Sequence, residues 1–285
     1  MGQVQNIEEL LDGVVTLPSL PATVLQISDL VNNPDCPLSE VGKAIAADPS
    51  ISLKALRLVN SAYYGLREKI TSVEHSVVLL GGKVVKNLVF TAAVFDTLKG
   101  GEELLLKHNV ACGVAMRTLI TSGAAINVQP IEPDEAFVHG LLHDVGKIIL
   151  KQYMPEEYER VEAACKEGGS PLYKVEREII GVDHAELGMM IAKRWKLTEL
   201  LANSIGGHHD LDRCTNAGYQ GMAGLLAVAD YLCYAAGYPA NTFVKPTLNS
   251  KVWQVTGLTA ESLEPALAKF FEATGDVEEL VSLAA

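Results

Sequence analysis

The chain has 285 residues, with 23 basic and 35 acidic side chains and a formal charge of −12. Hydrophobic residues make up 48% and charged residues 20%, which is typical of a globular protein and excludes a disordered chain. The acidic balance, without a run of lysine or arginine, argues against a nucleic-acid-binding protein. Five cysteines without a CxxC pair argue against a disulfide framework and favour a cytoplasmic location.

Apolar residues recur at helical spacing, and Gly and Pro separate the segments. The N-terminal half predicts five helices. The first begins at Pro21, the second covers 40–47 and the third follows the cap Asp48-Pro49. The fourth follows the capping-box pattern Thr71-x-x-Glu74, and the fifth covers 83–98. Gly100-Gly101 is the predicted boundary. Beyond it the predicted helices are 102–126, 134–152, 172–180, 185–195, 199–205 and 221–236, then an irregular segment, 238–250, and two short helices. Without strand alternation, the predicted fold class is all-α.

Two further predictions concern export and membrane insertion. The segment 1–12 is polar and acidic, so it is not expected to be a signal peptide. The longest apolar stretch, 77–95, is broken by Lys83, Lys86 and Asn87, so it is expected to be a buried helix rather than a membrane span.

The pair His143-Asp144 lies inside the apolar run 140–150. An imidazole beside a carboxylate is costly to bury without partners, and metal coordination offsets that cost. A structural His-Asp pair at a helix end is the alternative. Asp230 also has only apolar and aromatic neighbours, and a buried carboxylate requires a base or a metal.

Six of the seven histidines follow residue 100, which suits a site of imidazoles and carboxylates. Taken alone, each of the other histidines has an ordinary structural explanation. His108 is more typical of a surface or core histidine than of a metal ligand. His184 could simply lie near a helix start, and His208-His209 could lie in a solvated loop. His139 precedes His143 by one turn but lacks the Glu of a zincin motif. We interpret His139 as structural or as a support for the ligands.

The order His108, His143-Asp144, Asp230 resembles the HD superfamily of metal-dependent phosphohydrolases. Several blocks look like signatures of HDOD domains, the HD-related output domains: Leu17-Pro-Ser-Leu-Pro, Asp48-Pro-Ser-Ile-Ser, Leu58-Val-Asn-Ser-Ala-Tyr-Tyr-Gly, Val77-Val-Leu-Leu-Gly-Gly and His184-Ala-Glu-Leu-Gly. The resemblance implies a multi-helix HDOD fold, with an N-terminal lobe, 1–101, packed on an HD-like lobe, 102–240. Residues 241–285 are expected to be an extension that packs on the domain.

The resemblance also implies a ligand set, because this chain keeps the HD residues that many HDOD domains lack. One divalent ion is expected on His108, His143, Asp144 and Asp230. A second is expected on His184, His208 or His209, with Asp144 bridging. Lys147 is similar to a phosphate-contacting lysine, so Asp144 and Lys147 are the predicted catalytic residues. One or two ions are expected, and Fe, Mn, Zn, Ni and Mg all remain open.

The first functional expectation is a cytoplasmic regulatory module of signal transduction, with a bound metal, a signalling protein as partner, and neither nucleic acid nor membrane. The alternatives are an active phosphohydrolase on a nucleotide or phosphodiester, a di-iron redox or oxygen sensor, and a metal-free interaction module. Cyclic di-GMP hydrolysis is disfavoured, because Asp210 and Gln220 stand where HD-GYP phosphodiesterases carry Glu and Pro.

Overall fold

The computed structural model describes residues 22–98 and 103–284, and all regular secondary structure in these ranges is helical. The predicted all-α class is confirmed. Within these ranges, no helix is both long and apolar enough to cross a bilayer. Four features lie outside the described residues: the segment 1–12, the Leu17 block, the Pro21 helix start and the Gly100-Gly101 boundary.

The helices follow one another with short connections. In chain order they are α1 (Ala22–Asn32), α2 (Leu38–Ala46), α3 (Pro49–Val59), α4 (Val73–Leu80), α5 (Gly82–Leu98), α6 (Glu103–Ser122), α7 (Pro133–Leu142), α8 (Val145–Tyr153), α9 (Pro155–Gly168), α10 (Leu172–Ile179), α11 (His184–Arg194), α12 (Glu199–Gly207), α13 (Gln220–Ala235), α14 (Lys251–Thr256), α15 (Ala260–Glu272) and α16 (Thr274–Ala284). The described residues form two compact units, one of 22–98 with 272–284 and one of 103–271.

In the smaller unit, α1–α5 and α16 enclose an aliphatic core. The Asp48 side chain caps α3 by accepting from Ile51 N at 3.1 Å, as the Asp-Pro pattern predicts. The capping box was misplaced by one residue, because Ser72, not Thr71, caps α4 and accepts from His75 N at 3.1 Å. These caps satisfy backbone donors that the first turn of a helix leaves unpaired.

The larger unit depends on close approaches between helices. A Cβ atom on Gly140 would lie 2.3 Å from Cys112 O, so α7 crosses α6 at near backbone contact. A Cβ atom on Gly146 would lie 2.0 Å from His184 O, so α8 meets the start of α11 in the same way. These two contacts allow histidines from different helices to converge.

The predicted helix over 134–152 is wrong, because the chain breaks at His143-Asp144 into α7 and α8. The His143 Nδ1–H donates to Gly140 O at 2.7 Å, which takes that carbonyl from the helical ladder. Asp144 adopts φ −101° and ψ 13°, and Lys147 N then bonds Asp144 O at 2.9 Å to start α8.

Other helix bounds also differ from the sequence pattern. The predicted helix to 126 ends at Ser122, because Gly123 has a positive φ of 65°. The pattern missed α9, which starts at Pro155 and ends against left-handed Gly169. Three helices, not two, close the chain after the irregular segment 238–250, which was predicted correctly.

Candidate metal centre

Asp144 lies at the centre of a buried polar cluster, in the turn between α7 and α8. Its Oδ2 lies 3.3 Å from His143 Nε2 and 3.7 Å from His108 Nε2. Its Oδ1 lies 3.3 Å from His184 Nε2. The two oxygens of one buried carboxylate therefore face two sets of imidazoles.

The first set combines α6, the α7–α8 turn and α13. His108 Nε2 lies 3.2 Å from His143 Nε2 and 3.2 Å from Asp230 Oδ1. His108, His143 and Asp144 each offer a ligand atom within 4.8 Å of the others. The structure thus brings together all four residues expected around the first ion, although they span more than a hundred positions of sequence.

The second set consists of His184, at the start of α11, and His208 and His209, which follow α12. These three also offer ligand atoms within 4.8 Å of one another, and His184 Nε2 lies 2.9 Å from His209 Nε2. The sequence pattern does not distinguish His208 from His209 as a ligand, whereas the structure places both beside His184.

These separations are those expected between ligands of one ion. With metal–ligand bonds of about 2.1 Å, neighbouring ligands lie about 3.0 Å apart in an octahedron and about 3.4 Å apart in a tetrahedron. Among the described residues, the buried atoms His208 Nε2 and Asp144 Oδ1 have no hydrogen-bond partner. A cation would satisfy both. The donor set of each cluster therefore fits a divalent metal ion, and one oxygen of Asp144 faces each cluster.

The hydrogen bonds behind the imidazoles orient them toward these positions. In four of the five imidazoles Nδ1 bonds an acceptor outside the cluster: His108 bonds Tyr238 O at 2.7 Å, His143 bonds Gly140 O at 2.7 Å, His184 bonds Glu176 Oε2 at 2.6 Å and His208 bonds Ile205 O at 2.5 Å. Because these acceptors require a proton on Nδ1, Nε2 is the nitrogen that faces the cluster and would bind a metal.

Glu176 is a buried residue of the candidate site that sequence reasoning missed. It is fully buried on α10, and its Oε2 also accepts from His184 N at 2.9 Å. A signal was present, because Glu176 lies on the same helix face as the buried residues Leu172 and Val175. A carboxylate at such a position indicates a buried partner.

The start of α11 is held by a second carboxylate. Asp183 Oδ1 accepts from Glu186 N at 3.0 Å and caps the helix, while Oδ2 lies 2.7 Å from Arg213 Nη1 and 3.1 Å from Arg177 Nη2. Burial raises the pKa of Asp183, but His184, the capping bond and Arg213 outweigh it and keep the pKa below its ordinary value. This charged network fixes the backbone from which His184 projects.

Burial and neighbouring charges shift the pKa values of several groups in the two sets. Burial lowers the pKa of His208 to about 3 and, with the neighbouring imidazoles, holds that of His209 well below its usual range. Burial also lowers the pKa of His143, but Asp144 outweighs it and the net pKa is well above the ordinary value. Burial raises the pKa of Asp144, but His143 and Lys147 lower it by more, so the net pKa is well below its ordinary value. His208 and His209 are thus neutral, the form that binds metals.

A cavity of about 50 Å³, the metal-side cavity, opens onto this centre. It is lined by Lys147, Pro171, Leu172, Tyr173, His184, His209, Asp230, Tyr234, Asn241, Val244, Lys245, Pro246 and Thr247. Lys147 Nζ donates to Asp144 Oδ2 at 2.5 Å, so the predicted lysine lies beside the shared carboxylate.

Tyr234 was also missed. Its hydroxyl accepts from Asn241 Nδ2 at 3.0 Å, and its ring packs edge-on against His108 with 5.5 Å between centroids. Tyr234 follows Asp230 by four residues on α13, so the two side chains lie on the same helix face. This spacing is the feature of the sequence from which Tyr234 could have been assigned to the site.

His139 lies outside both sets. Its Nδ1 lies 2.7 Å from Ser204 Oγ, and burial lowers its pKa to about 3. A neutral, hydrogen-bonded core histidine agrees with its interpretation as a structural residue.

Comparisons with known proteins and with solved structures agree on one family for this chain. The chain is 27% identical over 203 residues to an uncharacterised protein of Treponema pallidum (strain Nichols), covering 70% of this chain. The match spans only 39% of the length of that curated relative.

Solved structures share the fold. An HDOD domain protein of unknown function from Geobacter sulfurreducens is 25% identical, with a TM-score of 0.74, and the match covers 95% of this chain and 96% of that one. A candidate phosphohydrolase from Shewanella amazonensis SB2B is 24% identical, with a TM-score of 0.75, and the match covers 97% of this chain and 98% of that one.

The family model of the HDOD domain matches residues 17–211, more than half of the sequence. The chain therefore belongs to the HDOD domain family.

Proposed function

We propose that this HDOD protein binds two divalent metal ions and uses them to hydrolyse a phosphoester, either a nucleotide or a phosphodiester. The observation that carries the proposal is the metal-side cavity, which reaches His184, His209, Asp230 and Lys147 together. Structural metal sites are closed by protein ligands, whereas catalytic sites keep an open position. An opening of about 50 Å³ onto three proposed ligands favours catalysis.

The ligands divide around Asp144. His108, His143, Asp144 Oδ2 and Asp230 would hold one ion, and Asp144 Oδ1, His184, His208 and His209 would hold the other. Divalent ions at such a paired site lower the pKa of a bound water and stabilise the charge of a phosphoryl group.

Lys147 supplies a fixed positive charge at the cavity. Burial lowers its pKa, but Asp144 outweighs that effect and the pKa stays above its ordinary value, so the side chain remains an ammonium. In the proposed reaction it neutralises charge on the phosphoryl oxygens and orients Asp144.

Tyr234 supplies a neutral donor. Burial raises the pKa of its phenol, with Asp230 and Asp144 adding to the effect, so the hydroxyl keeps its proton at neutral pH. Asn241 already donates to the oxygen, which leaves the O–H free to point at a phosphoryl oxygen in the cavity.

A second candidate is a cytoplasmic regulatory module in which the ions are structural or sensory and a signalling protein is the partner. The observation in its favour is burial, since His108, His143, Asp144 and His184 are each 0% exposed. The two candidates share every ligand and differ only in whether the cavity admits a substrate.

The test is hydrolysis of bis(4-nitrophenyl) phosphate and of a panel of nucleotides by protein reconstituted with Mn²⁺, Zn²⁺ or Fe²⁺. We expect metal-dependent turnover that falls at least about 100-fold in His209→Gln, because that residue faces both the cavity and its imidazole partners. His75→Gln, at an exposed histidine of α4, is the matched control and should be unchanged. Two bound ions without turnover on any phosphoester would favour the regulatory candidate.

A further inference from the structure

A second and larger cavity adjoins the metal-side cavity. This lysine cavity has a volume of about 190 Å³ and is lined by Leu104, Leu105, Lys147, Lys151, Tyr158, Glu162, Lys166, Leu172, Ala240, Asn241, Thr242 and Phe243. Three residues, Lys147, Leu172 and Asn241, line both cavities. A molecule bound at the proposed ions therefore has a neighbouring compartment within the same unit.

The lysine cavity is positively charged in a chain with a net charge of −12. Lys147 is paired with Asp144, so its charge is compensated on the metal side. Lys151 Nζ lies 2.9 Å from Glu162 Oε1, and Lys166 Nζ lies 3.9 Å from Glu162 Oε2. Two lysines share one glutamate, which leaves one positive charge in excess among these lining residues.

Aromatic rings hold both ammonium groups at the cavity wall. Lys151 Nζ lies 5.2 Å from the centre of the Tyr158 ring, and Lys166 Nζ lies 5.2 Å from the centre of the Phe243 ring. Such cation–π contacts favour one position for a side chain that is otherwise flexible.

The wall between the two cavities is ordered by Asn241. Its Oδ1 accepts from Phe243 N at 3.2 Å and Val244 N at 2.9 Å, while its Nδ2 donates to Tyr234 OH at 3.0 Å. One side chain thus connects the segment that carries Phe243 to the tyrosine beside the proposed ions.

We propose that the lysine cavity binds a second phosphate group of the substrate, which makes that substrate a small molecule with two separated phosphates. The inference rests on the proposed function, since the first phosphate occupies the metal-side cavity. Lysine ammonium groups bind phosphate as point charges, and the one positive charge that Glu162 leaves uncompensated in the cavity lining attracts the anion. The volume is ample, because a single water requires roughly 10–15 Å³ on this scale.

The test is calorimetric titration of inorganic phosphate into the metal-loaded full chain and into the chelated chain, with helix content checked by circular dichroism. We expect two phosphate sites in the loaded protein and one after chelation. Lys166→Gln and Lys151→Gln should each weaken the site that persists after chelation by about fivefold or more. Glu162→Gln should strengthen that site, because it removes the competing carboxylate.

Lys193→Gln, at an exposed lysine of α11, is the matched control and should bind phosphate as the wild type does. The proposal is overturned if Lys166→Gln and Glu162→Gln change affinity in the same direction or not at all, or if acetate binds as tightly as phosphate. Should chelation unfold the chain, loss of one of the two sites in loaded Lys166→Gln is the deciding result, and its persistence overturns the proposal.

The two proposals can fail separately. Phosphate binding after chelation requires neither metal nor turnover, so an inactive protein with a Lys166-dependent site would refute hydrolysis alone. A protein that hydrolyses bis(4-nitrophenyl) phosphate but whose Lys166→Gln variant binds phosphate normally would refute the second-phosphate site alone.

Discussion

Glu176 holds His184 by two hydrogen bonds, since its Oε2 accepts from the ring Nδ1 at 2.6 Å and from the backbone N at 2.9 Å. A carboxylate behind a histidine fixes the tautomer and raises the basicity of the other ring nitrogen. In this chain that nitrogen faces Asp144 Oδ1 at 3.3 Å. The proposed second ion therefore depends on a residue that never contacts it.

Glu176→Gln is expected to weaken binding of the second ion by about 10- to 100-fold, with a smaller effect on the first. The reason is that an amide supports the Nδ1–H more weakly than a carboxylate does. Metal titration followed by calorimetry would measure both affinities. Glu159→Gln, an exposed glutamate on α9, is the matched control. Equal weakening of both ions would mean that Glu176 acts on the fold as a whole.

Asp144→Asn is expected to abolish paired metal binding, because the shared carboxylate is its proposed bridge. It should also destabilise the protein by roughly 3–5 kcal/mol, since the buried Lys147 ammonium loses its partner. Denaturant unfolding and elemental analysis measure the two effects. The double variant Asp144→Asn/Lys147→Met should recover stability without recovering metal. Full metal content in Asp144→Asn would contradict the bridging role.

Removal of metal is expected to lower the thermal midpoint of unfolding. His208 Nε2 and Asp144 Oδ1 are buried without a hydrogen-bond partner among the described residues, and a bound cation would satisfy both. Added ion should restore about 2.7 kcal/mol when its free concentration is 100 times the Kd. Melting curves over a metal titration provide the measurement, and a midpoint that does not change with metal concentration would count against a specific site.

Gly146→Ala is expected to destabilise the protein by about 1–3 kcal/mol and to reduce metal affinity, because the new methyl group would press on His184 O. That pressure would separate α8 from the start of α11 and move His184 away from Asp144. Gly275→Ala in α16 is the matched control, since nothing lies within 4 Å of its Cβ position. The control should be neutral or gain up to about 1 kcal/mol of helix stability. Similar losses in both variants would refute the close-packing argument.

Much of the architecture was predictable from local signals. The all-α class and the cap at Asp48 follow from side-chain and backbone preferences that act over a few residues. The break at His143-Asp144 was not predictable in this way. It depends on the His143 side chain bonding Gly140 O, and an apolar run conceals it.

The candidate site was predictable as a set of residue types but not as a geometry. His143-Asp144 and Asp230 were conspicuous because polar groups are costly inside apolar segments. Whether His208 or His209 would join His184 depended on the turn after α12, which has no local sequence rule. Glu176 and Tyr234 were missed because each is recognisable only by its helix face and by the partner across the core.

The central claim is that Asp144 bridges two metal ions. Anomalous diffraction from crystals of the metal-loaded protein tests it most directly. We predict two anomalous peaks about 3.5–4 Å apart, one contacted by His108 and His143, the other by His184 and His209, with one Asp144 oxygen on each. A single peak, or two peaks that Asp144 does not join, would contradict the account.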